Sequence, residues 1–228
     1  DIGGSGAWQL VMLSGGKYAA TAWHHVVATR SGDTYTLFVD GDQRAQQVVP
    51  GASTVYQARD VQLGYWNYSI GQSYVNGAID QTSIFDTALT PSEVRNRYLR
   101  VASACNNLLS GVVSWWTGDD NAQDTLGLNH GTAVGGVGYA PGKFGQSFNM
   151  DGSTGFVQVS TPDSLPVGAA PRTMMLWFKT PTNFYSTTEW AMIQYGGGNG
   201  TGSIFGLITS MNAPGKLYFF GYDSDIAG

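Results

Sequence analysis

The sequence predicts an all-β protein of many short antiparallel strands with one short helix near residues 90–100. Three observations carry that prediction. Of 228 residues only 12% are charged, while 32 are glycine and 13% aromatic, a mixture that suits short strands joined by tight turns rather than helices or disorder. Period-two or strongly apolar segments recur at 8–13, 23–30, 35–40, 78–85, 112–116, 156–160, 173–179, 204–211 and 217–222. Turn dipeptides lie between them: Ser31-Gly32, Asp40-Gly41, Pro141-Gly142, Asp151-Gly152 and Pro214-Gly215, each supplying φ > 0 or a preset φ for reversal.

The strands differ in kind. In 35–39, Tyr35, Leu37 and Val39 share one face, which predicts a half-buried strand; in Met174-Met175-Leu176-Trp177-Phe178 both faces are apolar, which predicts an inner one. Trp115 and Trp116 are adjacent on a strand, so they point to opposite faces and one of them belongs to the core. The helix is predicted by its start: Thr90 caps the first turn, Pro91 takes the first helical position and Glu93 completes a capping box. Val94 and Tyr98 then form an apolar i, i+4 pair. Residues 101–110 are small, polar and without period, and read as a connector between residues 1–100 and 111–228.

Composition also excludes partners. The net charge is −5 with no cluster of lysine or arginine, so no footprint for nucleic acid or an anionic membrane is present. No apolar run is long enough to insert into a membrane. Cys105 is the single cysteine, which leaves a free thiol or a bridge to a neighbouring module and excludes an internal disulfide or a thiolate zinc cluster. The chain begins with Asp1 rather than methionine and reads as a processed or excised piece.

Catalytic chemistry is poorly supported. His24 and His25 face opposite sides of a strand, and His130 is the third histidine; a packed or hydrogen-bonded role is expected for each. Glu93 and Glu189 are the two glutamates, Glu93 already caps a helix, and no closely spaced pair of carboxylates for glycoside hydrolysis stands out. Tyr65, Trp66, Tyr68 and Tyr74 cluster in a glycine- and asparagine-bearing stretch, the kind of aromatic surface against which a sugar or a protein packs. Asp119, Asp120 and Asp124, with Asn121 and Asn129, form an acidic, amide-rich loop that offers oxygen ligands to calcium, although the spacing is not that of an EF-hand.

Several motifs resemble one family in combination. Trp23-His24-His25-Val26-Val27-Ala28-Thr29-Arg30 followed by Tyr35-Thr36-Leu37-Phe38-Val39-Asp40-Gly41 looks like the hairpin signature of laminin-G-like jelly rolls. Val61-Gln62-Leu63-Gly64 and the stretch from Asn76 to Glu93 resemble that family's closing strands. Ser110-Gly111-Val112-Val113-Ser114-Trp115-Trp116-Thr117-Gly118-Asp119, Asn129-His130-Gly131-Thr132, Pro141-Gly142-Lys143-Phe144-Gly145 and Phe148-Asn149-Met150-Asp151-Gly152 resemble its opening strands, and 173–179 the strand that follows. The closing half therefore precedes the opening half.

The resemblance implies a two-sheet antiparallel jelly-roll sandwich of the laminin-G-like, concanavalin-A-like type, with Trp23, Val27, Leu37, Leu176 and Phe178 in its interior. It implies a secreted or cell-surface, non-enzymatic structural or adhesive module that binds a glycan or an extracellular protein; the alternative is a carbohydrate-binding accessory domain of a larger carbohydrate-active enzyme. It also implies a structural calcium ion, for which Asp80 and Asp151 match the family's recurring acidic positions. Gln81 stands where the family usually has glutamate, which removes one charge. The swapped halves allow one self-closed, permuted domain or completion of each half by a neighbouring copy. Asp1-Ile2-Gly3-Gly4 and Asp225-Ile226-Ala227-Gly228 are alike at an offset of 224 residues, and this tips the expectation slightly toward copies assembling head to tail.

Overall fold

The computed structural model describes residues 10–50, 60–68, 71–99, 110–181, 190–196, 204–209 and 215–221. The connector with Cys105, both repeat-like ends and Glu189 lie outside the described residues. In chain order the elements are β1 (Leu10–Leu13), β2 (His24–Ser31), β3 (Thr34–Val39), β4 (Asp42–Val48), β5 (Val61–Leu63), β6 (Tyr65–Tyr68), β7 (Gly71–Tyr74) and β8 (Asn76–Phe85). Then come α1 (Pro91–Leu99), β9 (Val112–Trp116), β10 (Thr132–Val134), β11 (Val137–Pro141), β12 (Gln146–Asp151), β13 (Phe156–Val159), β14 (Arg172–Lys179), β15 (Ala191–Gly196), β16 (Ile204–Thr209) and β17 (Leu217–Gly221).

Local chemistry sets the hairpins. Val39 pairs with Asp42, and the two residues between them, Asp40 and Gly41, have φ of 54° and 82°. Two consecutive left-handed residues are what a tight hairpin turn matched to strand twist requires. A Cβ on Gly41 would lie 2.9 Å from the Tyr98 ring, so the same glycine lets α1 settle against the turn. At the helix start the Glu93 amide donates to Thr90 Oγ1 at 3.3 Å, and the Thr90 amide donates to Glu93 Oε2 at 2.7 Å. The capping box forms as its sequence predicts.

The strands assemble into two large antiparallel sheets. One has the order β1-β17-β16-β15-β5-β13-β10, the other β11-β12-β8-β14-β2-β3-β4 with β9 also on β8, and β6 pairs with β7 in a separate hairpin. Between the sheets, Val26, Leu37, Ile79, Phe148, Leu176 and Phe178 meet Val61, Leu63, Val157, Phe205 and Phe219 in one apolar cluster. Trp116 joins this cluster and is fully buried. Trp115 points the other way, donating from Nε1 to Gln81 Oε1 at 2.9 Å.

Of the expected interior residues, Val27 is buried in a second, smaller core and Trp23 is not fully buried. Val27 is buried, but on the outer face of the eight-stranded sheet, where it packs with Phe38, Phe85 and Met175 beneath Leu89 and Val94. Its parity on β2 places it opposite Val26, so the helix and not the second sheet covers it. Trp23 is half-buried; it precedes β2, and its ring lies under the Lys179 ammonium at 4.9 Å, which leaves it at the rim. Trp66 is buried instead, on the outside of the seven-stranded sheet with Ala191, Ile204 and Ile208.

Strands from both sides of the connector are interleaved within each sheet. β5 lies between β13 and β15, and β14 lies between β2 and β8. β8 in turn pairs with β12 and β9 on its other edge. The apolar faces of the two halves thus cover each other within one chain.

Candidate functional site

The aromatic stretch singled out above folds onto the outer face of the seven-stranded sheet. Gly64, with φ of 83°, turns the chain out of β5 into the β6–β7 hairpin. Gln194 Nε2 donates to the Tyr65 carbonyl at 3.1 Å, and Trp66 packs on Ala191, Ile204 and Ile208. Trp66 is therefore the anchor that holds the hairpin down. Tyr65 and Tyr74 stay together and meet a third ring that the sequence did not single out, Phe156 of β13. Ring centroids are 4.6 Å apart for Tyr65 and Phe156, 5.0 Å for Tyr65 and Tyr74, and 6.3 Å for Tyr74 and Phe156. Burial raises the Tyr65 phenol pKa, and Tyr74 adds to the rise. Tyr74 and Phe156 are half-exposed, and the Tyr74 hydroxyl donates to Gln72 Oε1 at 3.3 Å. Tyr68 pairs with Gly71 in the hairpin; its side chain lies outside the described residues.

Beside the rings runs a row of amides. Gln158 of β13 pairs with Gln62 of β5, and Gln62 pairs with Gln194 of β15. Directly opposed residues in an antiparallel sheet share a face, and Val61, Leu63, Val157 and Val159 occupy the core face, so the three glutamines project outward. Gln194 Nε2 donates to Gln62 Oε1 at 2.8 Å, and Gln62 Nε2 donates to Gln158 Oε1 at 3.0 Å. The relay leaves Gln194 Oε1 at one end and Gln158 Nε2 at the other without a hydrogen-bond partner among the described residues. The signal for this row was present in the alternation: Val-Gln-Leu and Phe-Val-Gln-Val place glutamine opposite valine on a half-buried strand. What the alternation lacks is the pairing of strands almost one hundred residues apart.

The acidic positions are occupied by structural duties. Asp151 Oδ1 accepts from the amides of Ser153, Thr154 and Gly155 at 2.8–2.9 Å, and Oδ2 accepts from the hydroxyls of Ser153 and Thr154 at 3.0 and 2.7 Å. The amides of Thr154 and Ser153, with the Thr154 hydroxyl, hold its pKa far below the usual carboxylate range. Asp80 is fully buried, and its Oδ2 accepts from the amides of Lys143 and Phe144 at 2.7 and 2.9 Å, fastening the 141–145 turn. Burial pushes it up to about 6, against the opposing hydrogen bonds from Phe144, Lys143 and Gln81.

Asp124 accepts from the amides of Trp115, Leu126 and Asn129. Asp119 Oδ1 accepts from the Gln146 amide at 2.7 Å, and Asp120 Oδ1 from Gln146 Nε2 at 3.3 Å. Calcium requires six to eight oxygens around one open point. Asp151 and Asp124 direct their oxygens at N–H or O–H hydrogens instead, and Asp80 does so through Oδ2, while its buried Oδ1 has no hydrogen-bond partner among the described residues. Among the described residues no three acidic, histidine or cysteine side chains gather as a metal-binding group.

The histidines divide in the same way. His24 Nδ1 meets Asp40 Oδ2 at 2.8 Å and Nε2 meets the Ala19 carbonyl at 3.0 Å. Burial alone would lower its pKa, but the hydrogen bond and charge of Asp40, with Ala19, raise it. His25 lies on the opposite face against the rings of Trp177 and Tyr98, which also stack on each other. His130 Nδ1 accepts from the Asp124 amide at 3.2 Å.

No helix among the described residues is long and apolar enough to cross a membrane. No curated protein matches the chain. Residues 1–95 match a laminin-G family described as the concanavalin A-like lectin/glucanases superfamily. Domains of that class are typically binding modules and are commonly extracellular. The matched closing strands and the strands from 112 to 221 complete the same two sheets, an antiparallel β-sandwich of the jelly-roll type, of which residues 1–95 are similar to that family.

Proposed function

We propose that the chain is a non-catalytic, extracellular carbohydrate-binding module whose ligand lies on the outer face of the seven-stranded sheet, between the amide row and the Tyr65–Tyr74–Phe156 rings. The observation that carries this reading is the juxtaposition itself. Aromatic faces accept the C–H side of a sugar ring, and glutamine amides both donate to and accept from hydroxyls. A surface offering both in adjacent rows suits a polyol better than a protein, whose own backbone is already hydrogen-bonded. The engagement of Asp80, Asp124, Asp151 and Glu93 in turns and a helix cap supports a binding role over a hydrolytic one.

The test is retention on immobilised polysaccharides. Phe156→Ala and Tyr74→Ala are expected to weaken retention by about tenfold each, the loss of one good contact, with circular dichroism unchanged. A chain that binds extracellular protein surfaces, and whose glycan retention is indifferent to both substitutions, would refute the reading.

A further inference from the structure

We infer that the last turn of α1 is an acid-released latch: a proton taken up by His25 lifts Tyr98 off the outer face of the eight-stranded sheet, while both sheets stay folded. His25 on β2 pairs with Trp177 on β14, and Tyr98 of α1 lies on both, with its ring centroid 6.2 Å from that of His25 and 5.8 Å from that of Trp177. Phe144 meets the Trp177 ring edge-on at 6.0 Å, and Lys143 Nζ stands 4.5 Å from the indole centroid. Beneath this cover His25 is 1% exposed, and neither ring nitrogen has a hydrogen-bond partner among the described residues. A neutral imidazole tolerates such a setting far better than a cation, which gives up its hydration there and meets no acceptor.

The charges and fastenings around the ring decide which element moves. From α1 the ring faces Arg97, from the 141–145 turn Lys143, and from the β3–β4 turn Asp40. Tyr98 is the titratable group in ring contact, and Asp80 lies one strand beyond, paired with Trp177 on β8. Asp40 is already engaged: Oδ2 meets His24 Nδ1 at 2.8 Å, and Oδ1 accepts from the His25 amide at 3.0 Å. A proton on His25 therefore sets a cation beside two others, each carried by an element that covers it. The 141–145 turn is pinned, because Asp80 Oδ2 accepts from the amides of Lys143 and Phe144, and Asp119 Oδ1 from that of Gln146. The start of α1 is pinned as well: the Leu89 amide donates to Thr173 Oγ1 at 3.0 Å, and that hydroxyl donates to the Thr87 carbonyl at 2.7 Å. The last turn rests on the Tyr98 ring and on the exposed Arg95–Asp42 pair at 2.8 Å, a contact of small worth in water, and it ends at Leu99, 55% exposed. Fastened at one end and stacked at the other, α1 opens about residues 87–90 as a local event.

The experiment is hydrogen exchange of the whole chain between pH 7 and 4, read residue by residue and corrected for the intrinsic pH dependence of exchange. In the opened form His25 titrates near the ordinary value of about 6.5. The opening constant of residues 95–99 is therefore expected to climb toward tenfold per pH unit below that point, reaching about a hundredfold by pH 4. The amides of β2 and β14 should keep their protection over the same range. In His25→Phe, which fills a similar space without a site for the proton, protection of residues 95–99 should no longer follow pH. Should that variant fail to fold, Tyr98→Ala is the second arm: with the covering ring gone, the His25 C–H resonances are expected to titrate near 6.5, well above their midpoint in the unaltered chain. Protection of residues 95–99 that is indifferent to pH, or that is lost together with that of β14, would overturn the latch. So would a pH dependence retained by His25→Phe, or a His25 in Tyr98→Ala that titrates as it does in the unaltered chain.

Discussion

His25 is 1% exposed, and neither ring nitrogen has a hydrogen-bond partner among the described residues. Burial pushes its pKa down to about 3; Asp40 pulls it up, while Arg97 and Lys143 push it further down. The unfolded chain takes up this proton near pH 6.5. The stability His25 contributes is therefore fully present above pH 6.5 and is lost as pH falls toward 3, at about 1.4 kcal/mol per pH unit. Asp80 acts with the opposite sign. Its folded pKa, about 6, lies above the ordinary 3.8, so its contribution is full below 3.8 and is lost as pH rises through 6. Between pH 4 and 6 the two slopes oppose each other, which predicts a flat stability curve for the unaltered chain. Single substitutions should unmask them. Relative to the unaltered chain, His25→Phe is expected to gain about 3 kcal/mol as pH is lowered from 6.5 to 4, and Asp80→Asn about 2 kcal/mol as pH is raised from 4 to 6. Urea unfolding across that range measures both, and slopes of the reverse sign would refute the assignments.

At the scale of elements, what was legible in the sequence is what is locally determined. Helix α1 could be read because Thr90, Pro91 and Glu93 act on one another within four residues. Replacing Thr90 by alanine removes the acceptor for the Glu93 amide and is expected to lower stability by about 1 kcal/mol, read as a fall of roughly 2–4 °C in Tm. Thr90→Ser, which keeps the hydroxyl, should restore most of it. The β2–β3–β4 hairpins were legible for the same reason, through Gly32, Asp40 and Gly41. Strand β4 itself was not: Asp42–Val48 is a polar edge strand, mostly exposed, and its sequence has no apolar alternation to detect. The candidate site was half legible. Tyr65 and Tyr74 were found as a cluster, but Phe156 and the glutamines reach them only through strand pairings distant in sequence. Trp23 and Trp66 make the limit concrete. Both are tryptophans near strands, and what buries Trp66 is a set of partners, Ala191, Ile204 and Ile208, more than a hundred residues away.

At the scale of the whole molecule, the swapped order of the halves gives the last prediction. Neither half is a sheet by itself: β14 needs both β2 and β8, and β5 needs both β13 and β15. Fragments 1–100 and 110–228 made separately should each expose an apolar face and open strand edges, and so fail to fold or aggregate. Mixed from denaturant, they should form a one-to-one complex with the circular dichroism of the whole chain. In the intact chain the same contacts compete between closing internally and joining a neighbouring copy. A connection of ten residues reaches at most roughly 35 Å and sets an effective concentration on the order of millimolar. At micromolar protein, internal closure is then favoured about a thousandfold. Sedimentation should show a monomer of 24.3 kDa up to concentrations approaching that of the tether. Oligomers that grow at micromolar concentration would mean that the halves pair between chains, making the single chain a head-to-tail building block instead of a closed domain.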